Sequence, residues 1–316
     1  MTAPAAVRTA ITGVGWAVAG PRFDPATALA GRGMRHKDRS SRFAVRVAWR
    51  ALEDAGLLGA PELDGAAVVV SSNFGNLDPV CDLVTTIATG RSKDISPMRV
   101  PHLSSAVSAA WIAIEHGMRG PSLTLCNGAS GGLDAVAAAR NLIVAGRATA
   151  ALVIGVEPDT PAVARLHRET GGSRWIDGAV ALVIEPVRHA VRRGARIRAE
   201  IAGYGRADDE RSAVAAAGAT AVPRRVGDEP TARFGRCSGA LGVAQCALAV
   251  EQLGYESHAA NTANTDNTDN TDSADNANNT ADAADAVLAV AGSGTGESDG
   301  TSVSALVLTL PRGRDT

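Results

Sequence analysis

Short β-branched runs alternate with alanine-rich stretches along the first two thirds of the chain. Ala66–Ser71, Ser122–Leu125, Ala150–Val156 and Ala179–Ile184 read as strands, and Val107–Met118 and Leu133–Ala145 read as helices. The runs at 150 and 179 are apolar at successive positions, so both faces must be covered, and they belong in the middle of a sheet. Strands alternating with helices in this way predict a layered α/β fold. Near the start, Arg8 followed by Ala10–Gly20 imitates a short signal peptide, but Gly13, Gly15 and Gly20 favour a strand running into a glycine turn. No apolar stretch approaches the roughly 20 residues needed to cross a bilayer.

From about His258 to Asp285 the pattern dissolves into repeated Asn-Thr-Asp triplets that offer almost nothing to bury, and a disordered insertion is expected there. Its aspartates, Asp266, Asp269, Asp272 and Asp275, lack the spacing, the turn glycine and the terminal glutamate of a calcium loop. The net charge of −2 over 316 residues argues against nucleic acid or an anionic membrane as the principal partner. The four cysteines, Cys81, Cys126, Cys237 and Cys246, show no CxxC spacing. They therefore suggest neither a disulfide framework nor a metal site, and a reducing, cytoplasmic setting is expected with no cofactor.

Candidate chemistry concentrates around residue 129. Gly117 to Asp134 reads GMRGPSLTLCNGASGGLD, which resembles the active-site stretch of the ketoacyl synthases, where GLRGPS leads through a strand to a nucleophilic cysteine. Asp38-Arg39 with Ala44–Leu57, Val68 to Gly75, Gly146–Glu157, Asp177–Glu185 and Arg193 to Gly205 also resemble ketosynthase segments, in the family's order. The resemblance implies a thiolase-like, five-layered αβαβα fold of two related halves, 1–190 and 191–316, the second shortened and interrupted at 258–285.

Counting without gaps from Gly120 puts Ala129 in the slot of the family's cysteine, and a methyl group cannot attack a thioester. Cys126 lies three positions early, where it reads as a small buried hydrophobe inside a strand. Gly128 to Gly132 satisfies the hydrolase elbow pattern G-x-S-x-G around Ser130, but no upstream segment resembles an oxyanion donor of the HGGG kind. The later histidines, His167, His189 and His258, fall in a loop, a basic turn and the Asn-Thr-Asp tract. A stand-alone hydrolase or acyltransferase through Ser130, or a ketosynthase-like enzyme through Cys126, is the competing expectation.

Further departures fall in the second half. In Thr231 to Gly242, TARFGRCSGALG, the resemblance to the family's KSxxGH segment sets Thr231 in the lysine slot and Arg236 in the histidine slot. Arginine cannot act as a neutral imidazole. The family's HGT segment has no counterpart, and in Ala291 to Thr301 the gate phenylalanines are replaced by Ser293 and Thr295. This pattern resembles the chain-length factor, the β subunit of type II polyketide synthases, and the short chain is nearer to the reduced factors of highly reducing systems. The resemblance implies no catalytic residues of its own, a catalytic ketosynthase α subunit as heterodimer partner, and an acyl carrier protein bearing the polyketide chain. It also implies an acyl tunnel bordered by Leu103, Ser104, Val107 and Trp111.

By periodicity Leu103, Val107, Ala110, Trp111 and Ile114 share one helix face, with Ile114 expected in the core and Val107 and Trp111 open to either role. Arg188, His189, Arg192, Arg193, Arg196 and Arg198 form a dense basic patch. Contact with an acidic carrier protein and a solvated turn explain that patch equally well.

Overall fold

The computed structural model describes residues 7–90, 92–169, 174–219, 224–265, 286–292 and 302–311. The first half runs β1 (Thr9–Val18), α1 (Pro25–Ala28), α2 (Arg39–Asp54), β2 (Ala67–Ser71), α3 (Leu77–Ala88), α4 (Val107–His116) and β3 (Ser122–Leu125). It continues through α5 (Gly131–Val144), β4 (Ala151–Glu157), α6 (Pro161–Glu169), β5 (Gly178–Pro186) and α7 (Val187–Arg192). The second half comprises β6 (Ala199–Ala207), α8 (Glu210–Ala216), β7 (Arg224–Val226), α9 (Glu229–Phe234), α10 (Leu241–Thr265), β8 (Ala286–Gly292) and β9 (Val303–Thr309). The boundary of the Asn-Thr-Asp tract expected at His258 thus falls inside α10, and 266–285 lies outside the described residues.

Hydrogen bonding links nine strands in the order β3-β2-β4-β5-β1-β6-β9-β8-β7. Five belong to the first half and four to the second. The strands of the two halves pair with each other at one short stretch, Ala10 opposite Glu200 and Ile11 opposite Ala199, where the Arg8 guanidinium also grips the Glu200 carboxylate. Alternate side chains of each buried strand enter different cores. Val68, Val70, Leu152 and Ile154 face an outer cluster under α2 and α4, whereas Val69, Val153, Leu182 and Ile184 face a central one. In that central layer α5 and α10 touch strands of both halves, and α8 covers β6 and β9 from the far side. Helix, sheet, helix, sheet, helix is the resulting sequence of layers.

Local chemistry explains the fit. Asp38 caps α2 by accepting from the Ser41 N–H at 2.8 Å, and Phe43, Ala44, Val47, Ala48 and Ala51 form its buried stripe. Gly13 and Gly15 lie within β1, the strand expected there, beneath that helix: a Cβ on Gly13 would stand 2.3 Å from the Ala51 carbonyl oxygen. Among the described residues, no helix is long and apolar enough to cross a membrane.

Two expectations need correction. Ile114 is 73 % exposed, and Ile112 takes the buried position instead. Because α4 is apolar nearly all round, periodicity could not choose its buried face, and Val107, Ser108, Ala109 and Ile112 are the residues it buries. Cys126 is exposed and follows β3 rather than lying within it, since the strand stops at Leu125 where the chain turns into the elbow.

Candidate functional site

The elbow expected around residue 129 is present. β3 ends at Leu125, a tight turn spans Gly128–Ser130 with Gly128 at φ 66°, and α5 starts at Gly131. Ala129 stands in that turn, fully buried in the central core.

Two neighbouring loops close over the elbow. The Gly128 N–H donates to Asn73 Oδ1 at 3.1 Å, and Asn73 Nδ2 donates to Ser238 Oγ at 2.7 Å. At the end of β4, the buried Glu157 carboxyl accepts from the N–H groups of Asn73 (2.7 Å), Phe74 (3.1 Å) and Gly239 (3.1 Å). Burial pushes this carboxyl up to about 8 against the downward pull of those donors. The carboxyl thereby binds the loop after β2 to the loop before α10.

A second cluster lies on the other side of the turn. Asp134, in the first turn of α5, accepts from Asn127 Nδ2 (3.0 Å), Tyr204 OH (2.6 Å) and Ser304 Oγ (2.6 Å), and pairs with Arg206. Burial and then the bond to Asp134 push the Tyr204 phenol up to about 12. Ser130 belongs to this cluster: it is buried, and its hydroxyl donates to the Asn127 carbonyl at 3.0 Å and lies 3.5 Å from Asp134 Oδ2. Its partners are therefore a carbonyl and a carboxylate, with no imidazole among the described residues to take its proton. The Cys126 thiol is pushed up by partial desolvation and then by the Glu157 charge, which disfavours a thiolate.

The second-half positions are filled rather than poised. Arg236 is half-buried with its guanidinium 5.6 Å from the Trp175 ring centroid, and Trp175 meets Phe74 edge-on at 5.5 Å. Thr231 lies in α9, which packs on α10. Ser293 and Thr295 lie outside the described residues. Of the described histidine side chains, His102 faces Asp38 and the His36 carbonyl, and His189 faces Glu185. Among the described residues no group of three or more His, Cys, Asp or Glu could hold a metal ion.

The four tunnel candidates sit at the entry to α4. Leu103 borders a slot of about 40 Å³ against α3, Ser104 is exposed, Val107 is buried, and Trp111 packs half-buried on the outer cluster. In the basic patch, Arg193 and His189 pair with Glu185 and Arg198 pairs with Asp54, which leaves Arg188, Arg192 and Arg196 exposed. A groove of about 600 Å³ is also basic, with Arg35, Arg39, Arg42 and Arg99 among its walls beside Asp38, and of these Arg39 pairs with Asp177 and Arg99 with Asp82. Glu157, Asn73, Asp134 and the groove had not been singled out in the sequence. The available signal was an acidic residue at the end of a wholly apolar strand and another inside an apolar helix.

Residues 6–172 match the family described as beta-ketoacyl synthase, N-terminal domain. A putative polyketide beta-ketoacyl synthase 1 of Streptomyces virginiae is 33 % identical over 202 residues, 54 % of this chain and 47 % of that one. The crystal structure of a beta-ketoacyl synthase from Burkholderia phymatum superposes with a TM-score of 0.71 at 20 % identity, covering 97 % of this chain and all of that one. The ishigamide ketosynthase/chain length factor gives a TM-score of 0.69 at 21 % identity, over 96 % of this chain and all of that one. At those identities the two superpositions show the thiolase-like fold. The chain spans about half the length of the curated relatives it matches.

Proposed function

The chain belongs to the beta-ketoacyl synthase family, and on that premise we propose that it is a non-catalytic, chain-length-factor subunit that pairs with an active ketosynthase. The observation that carries this reading is Ala129, buried at the elbow where a nucleophile would stand and enclosed by the Asn73–Ser238 and Glu157 hydrogen bonds. No thiolate can form there, and Arg236 stacked on Trp175 supplies no imidazole. The partner would supply cysteine and histidines for decarboxylative Claisen condensation.

Support for pairing comes from the edge at β3, whose outer backbone groups have no neighbouring strand among the described residues. Leu123 on that strand is 40 % exposed, and Ile114 projects from α4, which packs against the strand. A long-lived heterodimer needs a largely apolar interface of roughly 2,000 Å² or more, and a bare strand edge beside exposed aliphatics is a natural seed for one. Acyl carrier protein, which is acidic, would find a complement either in the groove around Arg35 and Arg42 or at the exposed Arg188, Arg192 and Arg196, each of which lies beside basic residues already paired with carboxylates.

The side chains at the start of α4 would then limit product length by filling the acyl tunnel, because overpacking a filled apolar pocket costs about 1–3 kcal/mol. Co-expression with candidate ketosynthases of the same organism tests the pairing: a co-purifying heterodimer is expected. A monodisperse monomer that ignores every such ketosynthase would overturn it. In the heterodimer, Ser104→Phe should shorten the dominant product while the initial condensation rate changes little.

A further inference from the structure

Lys37 is a buried lysine with little conventional compensation. Its ammonium donates to the Gly33 carbonyl at 2.5 Å, and its nearest carboxylate, Glu115, stands 3.7 Å away and is itself half-exposed. Removing an ammonium from water is costly unless something electron-rich replaces the water. Here the replacement is the Trp111 indole, with Lys37 Nζ 4.5 Å from the ring centroid. A second ring lies against the same indole. His102 is stacked on Trp111 with centroids 6.3 Å apart and planes 24° from parallel, within the range of offset aromatic pairs.

Both neighbours are held by bonds of their own. His102 Nδ1 is 2.6 Å from Asp38 Oδ2 and Nε2 is 2.6 Å from the His36 carbonyl oxygen, so the imidazole cannot turn without giving up one of them. Asp38 is fixed in turn by the Ser41 N–H and hydroxyl, each at 2.8 Å. The Ser41 hydroxyl reaches Ser108 on α4 at 3.2 Å. The start of α2, the turn spanning Pro97–Leu103 and the first turns of α4 are thereby tied together around one indole.

We propose that Lys37 and His102 are positioning residues that hold Trp111 in a single orientation, and so fix the space that the entry to α4 leaves for a growing acyl chain. The inference rests on the reading that this entry borders the tunnel. Its physical content is that the cation and the imidazole select among Trp111 orientations rather than touching the substrate. A desolvated cation–π contact biases such an equilibrium by about tenfold or more.

The test uses the heterodimer, with Lys37→Met to remove the charge at similar length and His102→Gln to loosen the stacked ring. Fluorine NMR of the heterodimer reconstituted with only this chain grown on fluorotryptophan gives one resonance for each of its four tryptophans, and the one lost in Trp111→Phe belongs to Trp111. Both variants are expected to shift or split that resonance while leaving the other three in place. They should also move the product distribution in the direction of Trp111→Ala, and Lys37→Met should add nothing in a Trp111→Ala background, the mark of coupled residues. Should Trp111→Ala alter product length while Lys37→Met and His102→Gln leave both the resonance and the products as in the parent, the positioning role is wrong and the tunnel reading stands. Unaltered products for Trp111→Ala and Ser104→Phe alike, with the heterodimer intact, would remove the tunnel reading and this inference with it.

Discussion

A thiol restored at position 129 would enter the core that already holds Cys246, a fully buried cysteine whose thiol burial pushes up to about 12. Ala129→Cys is therefore expected to leave condensation at the parental level, since the new sulfur would stay protonated and find no imidazole. The measurement is turnover of malonyl-loaded carrier protein by the variant without its partner, and any rate above the parent would reveal a surviving base. Glu157 gives a second test at this scale. Its carboxyl titrates near 8 when folded and near its ordinary 4.5 when unfolded, so between those values the native state keeps a proton that the unfolded chain has lost. The contribution of this one group to stability should fall as pH rises from 4.5 to 8, by at most about 1.4 kcal/mol per pH unit, and be constant on either side. Urea midpoints of the heterodimer across this interval should show the decline, and Glu157→Gln should remove this contribution to the slope.

On the scale of single elements, β3 is the edge on which the proposed pairing depends. Leu123→Lys sets a charge on an edge that the proposed partner must cover, and should weaken the heterodimer at least about a hundredfold by the standard of interface hot spots. The far-ultraviolet dichroism should stay that of the parent, and sedimentation with the partner reads the loss. Elements were also where the sequence was most legible. β3 was anticipated to the residue, and β2, β4, β5 and α5 to within about two residues at each end, because runs apolar on both faces and glycine punctuation leave few alternatives. α4 was legible, but its orientation was not: apolar side chains point to nearly every side of it, and docking on α2 separates Ile112 from Ile114. The site was half legible for a related reason. A lost nucleophile can be read by counting from Gly120, whereas the Glu157 and Asp134 clusters join residues up to 170 positions apart, and no local pattern records them.

Across the whole molecule, Asp134 is the carboxylate that ties the elbow of the first half to β6 and β9 of the second. Asp134→Ala would take the shared acceptor from the Tyr204 and Ser304 hydroxyls, and a buried hydroxyl left unsatisfied costs about 1–3 kcal/mol, whereas the solvent-facing Arg206 regains water. The expected outcome is a lower urea midpoint and faster proteolysis, with Asp134→Asn recovering part of the loss by keeping hydrogen-bond acceptance.

The unequal division of strands carries a consequence for biosynthesis. A ribosome that has released the chain through β5 has already delivered all five strands of the first sheet, together with α2, α4 and α5. One face of α5 and the central side of those strands must then wait for α10, β8 and β9, which come from the last 130 residues. At about 5–20 residues per second that interval lasts roughly 6–26 s. During that interval the nascent protein displays the apolar side of α5 and the part of the central sheet face that α10 will cover, and a chaperone at the tunnel exit is the expected escort. Slowing translation across β6 to α10 by synonymous rare codons should lower the soluble yield, while leaving the specific behaviour of the molecules that do fold unchanged.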